Sequence, residues 1–439
     1  MKIYLDTIGC RLNQSEIESM ARGFRAAGHE IVATAQLAEM AVVNTCAVTH
    51  DAVSVSRSKI RQIARAGVKD VVATGCWTTL QPEHALELPN VTRVVANDRK
   101  DHLVTDVLNL PQDPSTLLAV AGQAFDLEPL SRQPLPGLHR RTRAFIKVQD
   151  GCNNQCTFCI TTVARGEARS RAAADVIRDI QFALDGGAKE IVLTGVHLGS
   201  WGYDFDKRLT DLIRAILHET DVPRLRLSSL EPWDLSADFF SLWEDSRLMP
   251  HLHLPLQAGS DSTLKRMRRN TTTASFRALI RSARAAIPDV AVTTDIIAGF
   301  PGETEKEFSE TLDFVREMDF AGGHVFTYSP RPGTGAAKMK GQIQPEVRKK
   351  RNHILREALD ESARTYREKF IGREMSALWE STSAMGERGW QMEGLTENYL
   401  RVQAFAESPR WNEVDEVHVN GAVGDILQGV ISQMGRVSL

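Results

Sequence analysis

No run of apolar residues in this 439-residue chain approaches the length of a membrane span, and no charged-apolar-small leader pattern opens it. The chain begins instead on the strand-like KIYLDTI, which points to the cytoplasm. A net charge of −3 excludes a strongly cationic surface, so affinity for nucleic acid would have to come from local patches. There is no low-complexity segment and no short solenoid repeat. No phosphate-binding loop motif and no Ser-His-Asp order stands out either, so kinase and hydrolase readings carry little weight. What remains is ordinary: 42% hydrophobic and 25% charged residues, suited to a globular protein of two or three domains.

Cysteine is scarce, and its placement is informative. The six cysteines fall into two sets of three. Cys152, Cys156 and Cys159 stand together in DGCNNQCTFC, whereas Cys10, Cys46 and Cys76 are far apart in IYLDTIGC, MAVVNTC and DVVATGC. Disulfides are uncommon in the cytoplasm, where clustered thiols more often bind metal or do redox chemistry. The Cys-x3-Cys-x2-Cys spacing lets three thiolates face one iron–sulfur cluster and leave a fourth iron open to a small molecule. Structural zinc is the rival, but it wants four ligands, and no fourth Cys or close His stands nearby.

Residues 1–125 alternate apolar strands (3–7, 29–33, 40–44, 71–74, 91–95) with amphipathic helices near 13–27 and 52–66. That alternation predicts a doubly wound parallel α/β domain. Its isolated cysteines would meet beyond the carboxyl ends of the strands. Residues 126–140, with three prolines, read as a linker. From 141 to 371 a second βα series follows, with strands near 143–149, 190–194, 224–228, 251–255, 291–297 and 323–328 and a polar helix at 345–370. This pattern is barrel-sized, with functional residues expected at strand ends. Residues 372–439 carry short β segments and Gly turns, as in a small β-barrel.

At the end of the first barrel strand, CNNQCTFC resembles the motif of the radical S-adenosylmethionine (SAM) superfamily. The resemblance implies a [4Fe-4S] cluster whose open iron chelates the methionine group of SAM, and a partial (β/α) barrel around it. Electron transfer would then cleave the sulfonium to a 5′-deoxyadenosyl radical. Later segments agree in order and placement: IVLTGVHLG with Thr194 and Gly195, LPLQAGSD with Gln257 and Ser260 for a ribose, and TTDIIAGFPGE with Gly299 for the adenosine. Glu231 and Asp295 stand at strand ends where SAM or a substrate proton would be met; a structural hydrogen-bonding role is the competing reading. Phe158, between two ligands, is suited to shielding the cluster or facing adenine. Arg165 would hold the SAM carboxylate or a phosphate through a bidentate fork. His197 and Trp201 could line a substrate cavity, but turn and packing roles fit them as well.

With TIGCRLNQSE, VVNTCAVT, ATGCW and FTYSPRPGT added, nearly the whole chain resembles the methylthiotransferase family. That resemblance implies a cluster-bearing N-terminal domain, a radical SAM core and a C-terminal TRAM domain. It also implies two [4Fe-4S] clusters, the second on Cys10, Cys46 and Cys76, with SAM used both as radical source and as methyl donor. LTGVHLGSWG, RLRLSSLEP and HLHLPLQAGS are most similar to the branch that adds a methylthio group to N6-threonylcarbamoyladenosine, or its cyclic form, at position 37 beside the tRNA anticodon. The implied partners are a tRNA anticodon stem-loop, a flavodoxin- or ferredoxin-like reductant and a source of sulfur.

Charge divides the readings. Residues 132–171 hold eight Lys plus Arg against two acids, LKRMRRN adds Arg268 and Arg269, and the helix near 348–369 adds Arg348, Lys349, Lys350 and Arg351. These runs would suit an anticodon stem-loop, although basic runs are often only solvated faces. Residues 372–437, in contrast, hold five Arg against ten acids. An acidic module is poor at gripping phosphate. It would better suit a basic substrate, as in the branch that modifies a ribosomal-protein aspartate. A non-catalytic iron–sulfur or zinc RNA-binding protein is the third reading.

Overall fold

The computed structural model describes residues 1–110 and 142–432. The N-terminal unit is a parallel sheet of β1 (Lys2–Thr7), β2 (Glu30–Ile31), β3 (Met40–Thr45), β4 (Asp70–Gly75) and β5 (Val91–Val95), in the order β2-β1-β3-β4-β5. All six residues of central β3 are buried, as a strand covered on both faces requires. Alternate residues serve opposite faces. Met40 and Val42 pack with Ile17, Met20 and Phe24 of the helix Arg11–Ala26. Ala41 and Val43 pack with Ile60 and Ile63 of the helix His50–Arg65. The result is the doubly wound sheet expected. Only the strand at 29–33 shrinks, to two residues at the sheet edge, where it has one neighbour.

The central unit carries β6 (Arg143–Lys147), a ribbon of β7 (Gln149–Asp150) with β8 (Arg169–Ser170), then β9 (Glu190–Thr194), β10 (Leu225–Leu227), β11 (His251–His253), β12 (Ala291–Ala298) and β13 (Gly322–Thr327). Two parallel three-stranded sheets, β10-β9-β6 and β11-β12-β13, meet through the single bridges Leu225↔Leu248 and Ser229↔His253. Together they make an arc of six strands, a partial barrel. Its β6 edge is covered by the N-terminal helix Arg11–Ala26, whose Ser15 hydroxyl accepts from the Lys147 N–H at 3.0 Å. On the β13 side lies the helix Pro345–Glu368: Asn352 donates to the Val325 carbonyl and Ser362 to that of Phe320. Outer helices bury apolar stripes such as Val176, Ile180 and Ala183 against the strands.

The last unit is a closed barrel of β14 (Glu374–Gly386), β15 (Gly389–Thr396), β16 (Arg401–Ala406), β17 (Val414–Val423) and β18 (Ile426–Ile431), in the order β14-β15-β16-β18-β17. Met375, Ala377 and Trp379 alternate inward, and the Trp379 indole N–H finds Asp415 at 2.7 Å. This barrel docks where the core strands begin. Arg226 and Arg224 share Glu190 and reach the backbone carbonyls of residues 395–397. Tyr399 touches all three units: it stacks on His251 at 4.4 Å and its hydroxyl accepts from Arg11 at 2.5 Å. Residues 126–140, read as a linker, lie outside the described residues. Among those described, no helix is long and apolar enough to cross a membrane.

Candidate active site

Cys10, Cys46 and Cys76 stand just past the carboxyl ends of β1, β3 and β4, where a doubly wound sheet forms its sites. Cys10 is the residue that caps the helix Arg11–Ala26, and Cys76 opens the helix Cys76–Leu80. A glycine in the left-handed region stands before each of them. At Gly75, φ is 103° and an added Cβ would meet the Thr45 carbonyl at 2.3 Å; at Gly9 it would meet the Cys46 Cβ at 2.9 Å. Only bare backbone lets the three loops close on one another. The three thiols lie within electrostatic reach of each other. Asn13 Oδ1 is 3.7 Å from Cys10 Sγ, and Asn97 Nδ2 is 3.7 Å from Cys76 Sγ.

Cys152, Cys156 and Cys159 follow β6 and β7. At Gly151, φ is 70° and a Cβ would lie 1.9 Å from the Glu167 carbonyl, so glycine is obligatory at the turn into the loop. Cys152 N–H donates to Gly166 and Cys159 N–H to Cys156. Thr157 ties the loop to two distant helical turns, donating to Met267 at the end of the helix Asp261–Arg266 and accepting from Ala336. Burial pushes the Cys156 thiol up to about 11, and the same cause takes Cys46 to about 11. A bound metal would have to displace those protons.

The two triads lie on either side of one domain interface. Arg165, six residues past Cys159 at the end of the helix Thr161–Arg165, does not reach a phosphate or a cofactor as expected. It is buried, and its donors are taken by Glu16 at 2.7 Å, Asp150 at 2.9 Å and Asn13 at 2.8 Å. Glu16 accepts from Lys100 as well, at 2.8 Å. Burial alone would raise the Glu16 pKa, but Arg165 and Lys100 hold it well below the usual carboxylate range. Asn97 spans the same interface, donating to the Ala164 carbonyl while facing Cys76.

The other expected residues are placed as follows. Glu231 is committed to Arg269, with Nη2 at 2.6 Å, and Arg269 is itself buried and 3.7 Å from Cys156 Sγ. Arg269 is therefore no surface contact for RNA; Arg268, exposed at φ 53°, remains available. Asp295 meets His253 at 3.3 Å through Oδ2, while its buried Oδ1 has no protein partner. Gln257 bridges to β12 through Asp295 and Ile297, at φ 71°. The Ser260 hydroxyl donates to Glu310 at 2.6 Å, so its proton is not free for a ribose. Thr194 is buried at the end of β9, and a Cβ on neighbouring Gly195 would meet Gln149 Oε1 at 3.0 Å. Gly299 bonds Glu303, and Phe158 packs edge-on to Phe300. Trp201 is a core residue, 1% exposed.

Of the basic runs, much is internal. Arg143 pairs with Glu380, Lys147 with Asp101, Arg171 with Asp179, Arg266 with Glu307 and Arg351 with Glu303. Sequence reasoning missed the residues that surround the thiols: Asn13, Glu16, Asn97, Trp233 and Asp234. The one available signal was their position beside strand ends and cysteines.

Among the described residues, no three His, Cys, Asp or Glu side chains gather closely enough to hold a single metal ion. Three thiolates suit one ligand per iron of a cluster, whereas structural zinc wants four protein ligands. Asp295 lies within β12 and not at its end as expected, and its orphaned Oδ1 is suited to a polar cofactor.

Comparison with known proteins agrees with this geometry. Residues 146–315 match the radical SAM superfamily, and residues 2–97 match the uncharacterized protein family UPF0004. The chain is 36% identical over 405 residues to the threonylcarbamoyladenosine tRNA methylthiotransferase MtaB of Bacillus subtilis, covering 90% of this chain and 88% of that protein. It is 33% identical over 444 residues to the protein of the same name from Thermotoga maritima, covering 99% of each. Among solved structures, the radical SAM methyltransferase TsrM of Kitasatospora setae superposes with a TM-score of 0.56 at 16% identity, over 76% of this chain and 77% of that one. That likeness concerns the fold.

Proposed function

The chain belongs to the radical SAM methylthiotransferase family, and on that premise we propose that it adds a methylthio group to C2 of N6-threonylcarbamoyladenosine, linear or cyclic, at position 37 of tRNA. The observation that carries this reading is full-length similarity to proteins of that name, joined to two cysteine triads either side of one interface. Radical SAM membership implies a [4Fe-4S] cluster and SAM.

In this reading Cys152, Cys156 and Cys159 hold that cluster, and Cys10, Cys46 and Cys76 hold a second. When bound, these groups supply a one-electron reductant, a radical source, a methyl donor and a carrier for sulfur. The chain's own residues position and shield. Gly151 makes the tight turn into the loop that carries these thiols. Thr194, Gly195 and Gly299 stand at the ends of β9 and β12, with Asp295 inside β12 and Gln257 bonded to it, where SAM would lie. Phe158 and Phe300 exclude water from one flank of the loop. Arg165 and Asn97 fix the N-terminal triad against the radical triad, so that activated carbon and sulfur carrier share one space. Arg268, with Lys349 and Lys350, offers exposed charge to the anticodon stem-loop. A flavodoxin- or ferredoxin-like reductant and a sulfur source complete the set, in the cytoplasm.

The deciding experiment is mass spectrometry of tRNA nucleosides from cells with and without this chain. Loss of 2-methylthio-N6-threonylcarbamoyladenosine, with the unmodified precursor accumulating, is expected. Loss of the isopentenyl counterpart, or of a methylthiolated ribosomal protein instead, would overturn the substrate assignment.

A further inference from the structure

We propose that the helix His50–Arg65 carries a second RNA contact: a row of Arg57, Arg61 and Arg65 that grips backbone phosphates of the tRNA from the N-terminal unit. The inference rests on the reading of tRNA as the substrate. It adds a surface on the unit that faces Arg268, Lys349 and Lys350 across the seam between the triads.

The stretch 52–69 holds Arg57, Lys59, Arg61, Arg65 and Lys69 and no Asp or Glu. In a helix, residues four apart share a face and rise about 6 Å at each step. Arg57, Arg61 and Arg65 therefore form one row over successive turns, about 12 Å long. Arg57 and Arg65 are exposed and Arg61 is half-buried, while Ser56, Ile60 and Ile63 take the buried face. Lys59 is committed to Asp6 at 3.1 Å. Among the described residues, no carboxylate pairs with any of the three arginines.

Such a row does not help the helix. Like charges four residues apart repel and weaken it. The helix dipole favours a cation in the last turn, which accounts for Arg65 alone. An anionic partner relieves the repulsion, and arginine forks fit phosphate two bonds at a time. A protein partner would want aromatic or other apolar side chains at the centre of the patch. Val55, 48% exposed, is the one large apolar side chain exposed on this helix. A phosphate backbone is therefore the better match.

The helix is also fixed to both cysteine sets. Cys46 N–H donates to the Ser56 hydroxyl at 3.3 Å, and that hydroxyl donates to the Ala52 carbonyl at 2.7 Å. Thr49 caps the helix, accepting from Ala52 N–H at 3.1 Å. The turn after β13 ties the same end to the core. There Arg331 Nε donates to the Val48 carbonyl at 3.3 Å, and Ala336 N–H donates to Thr157 of the other cysteine loop at 2.7 Å. The helix thus leaves from the seam between the triads, and the row runs along it over the N-terminal unit. Arg268, bonded to Gln155 of the radical loop at 3.3 Å, stands on the core side. A nucleotide held in the seam has its flanking backbone gripped from both units.

The test is filter binding of full-length tRNA, at several salt concentrations, to the parent chain and to the triple variant Arg57→Gln, Arg61→Gln, Arg65→Gln. Gln and Arg are comparable helix formers, so iron content should not change. Each lost phosphate contact removes about 0.7–0.9 from the slope of log K against log salt. The triple variant should therefore lose about two units of slope and bind about tenfold to a hundredfold more weakly at about 0.1 M salt. The triple change to Lys, which keeps the charge, should keep the slope. A steep parent slope that is unchanged in the Gln variant would overturn the row. Loss of SAM cleavage with reduced flavodoxin but not with dithionite, at unchanged tRNA slope, would make the row a docking face for an acidic electron carrier instead. A parent that binds no tRNA overturns the reading of the substrate, and the row with it.

Discussion

Changing Glu16 to Gln keeps the size of a buried side chain and deletes one charge from the interface between the two cysteine triads. Glu16 is 3% exposed and accepts from Arg165 at 2.7 and 3.2 Å, Lys100 at 2.8 Å and Asn44 at 3.1 Å. Without its charge, Lys100 keeps only Asn44 Oδ1 at 3.2 Å, and Arg165 keeps Asp150 and Asn13. Removing one partner of a buried pair costs about 3–5 kcal/mol, because the remaining charge stays buried and unpaired. A domain has about 5–15 kcal/mol in all, so this is a large share. Native-state hydrogen exchange reads it locally. Protection of β3, in the centre of the N-terminal sheet, should fall at least about a hundredfold, since about 1.4 kcal/mol is tenfold. Glu16→Gln combined with Arg165→Met should cost less than the sum of the single changes, as expected for groups in direct contact. Protection within about threefold of the parent, or strict additivity, would refute the view that this network holds the two triads together.

Three further outcomes are expected. Cys156→Ala should lose roughly half of the iron and all reductive cleavage of SAM, whereas Cys46→Ala should still form 5′-deoxyadenosine but make no methylthiolated product; iron analysis and chromatography check both. Arg268→Glu should weaken tRNA binding and reduce its salt slope by about one, while Arg269→Gln, buried against Glu231, should leave the slope unchanged in filter binding at several salt concentrations. Burial would raise the Glu190 pKa, but Arg226 and Arg224 hold it at about 2 in the fold against 4.5 ordinarily. Its contribution, roughly 3 kcal/mol, is therefore present above pH 4.5 and lost as pH falls towards 2. Glu190→Gln should flatten that acid limb in denaturant melts, and an unchanged limb would contradict it.

Much was legible in the linear chain because the physics is local. Period-two and period-3.6 patterns reveal which way each strand and helix faces, so the doubly wound sheet, the strand arc and the small barrel follow from patterning. The cysteine motifs were legible for the same reason: three thiols in one short loop must share a neighbourhood, and loops at the carboxyl ends of parallel strands must converge. The glycines before Cys10, Cys76 and Cys152 were not read in the sequence; the fold shows that each adopts a left-handed φ.

Charge was not legible, because the partner of a charged side chain is set by tertiary contact. In sequence, Arg165 and Arg269 look like members of basic runs. In the fold they are internal struts, bound to Glu16, which is 149 residues away, and to Glu231, 38 residues away. The same holds for Asp234, which looks unremarkable until the segments after β9 and β10 bring it to His197. The sequence by itself determined the elements, the two triads and the family chemistry. Tertiary structure alone decided which cations face solvent and which face thiols, because a buried charge requires a partner and only the folded chain supplies one.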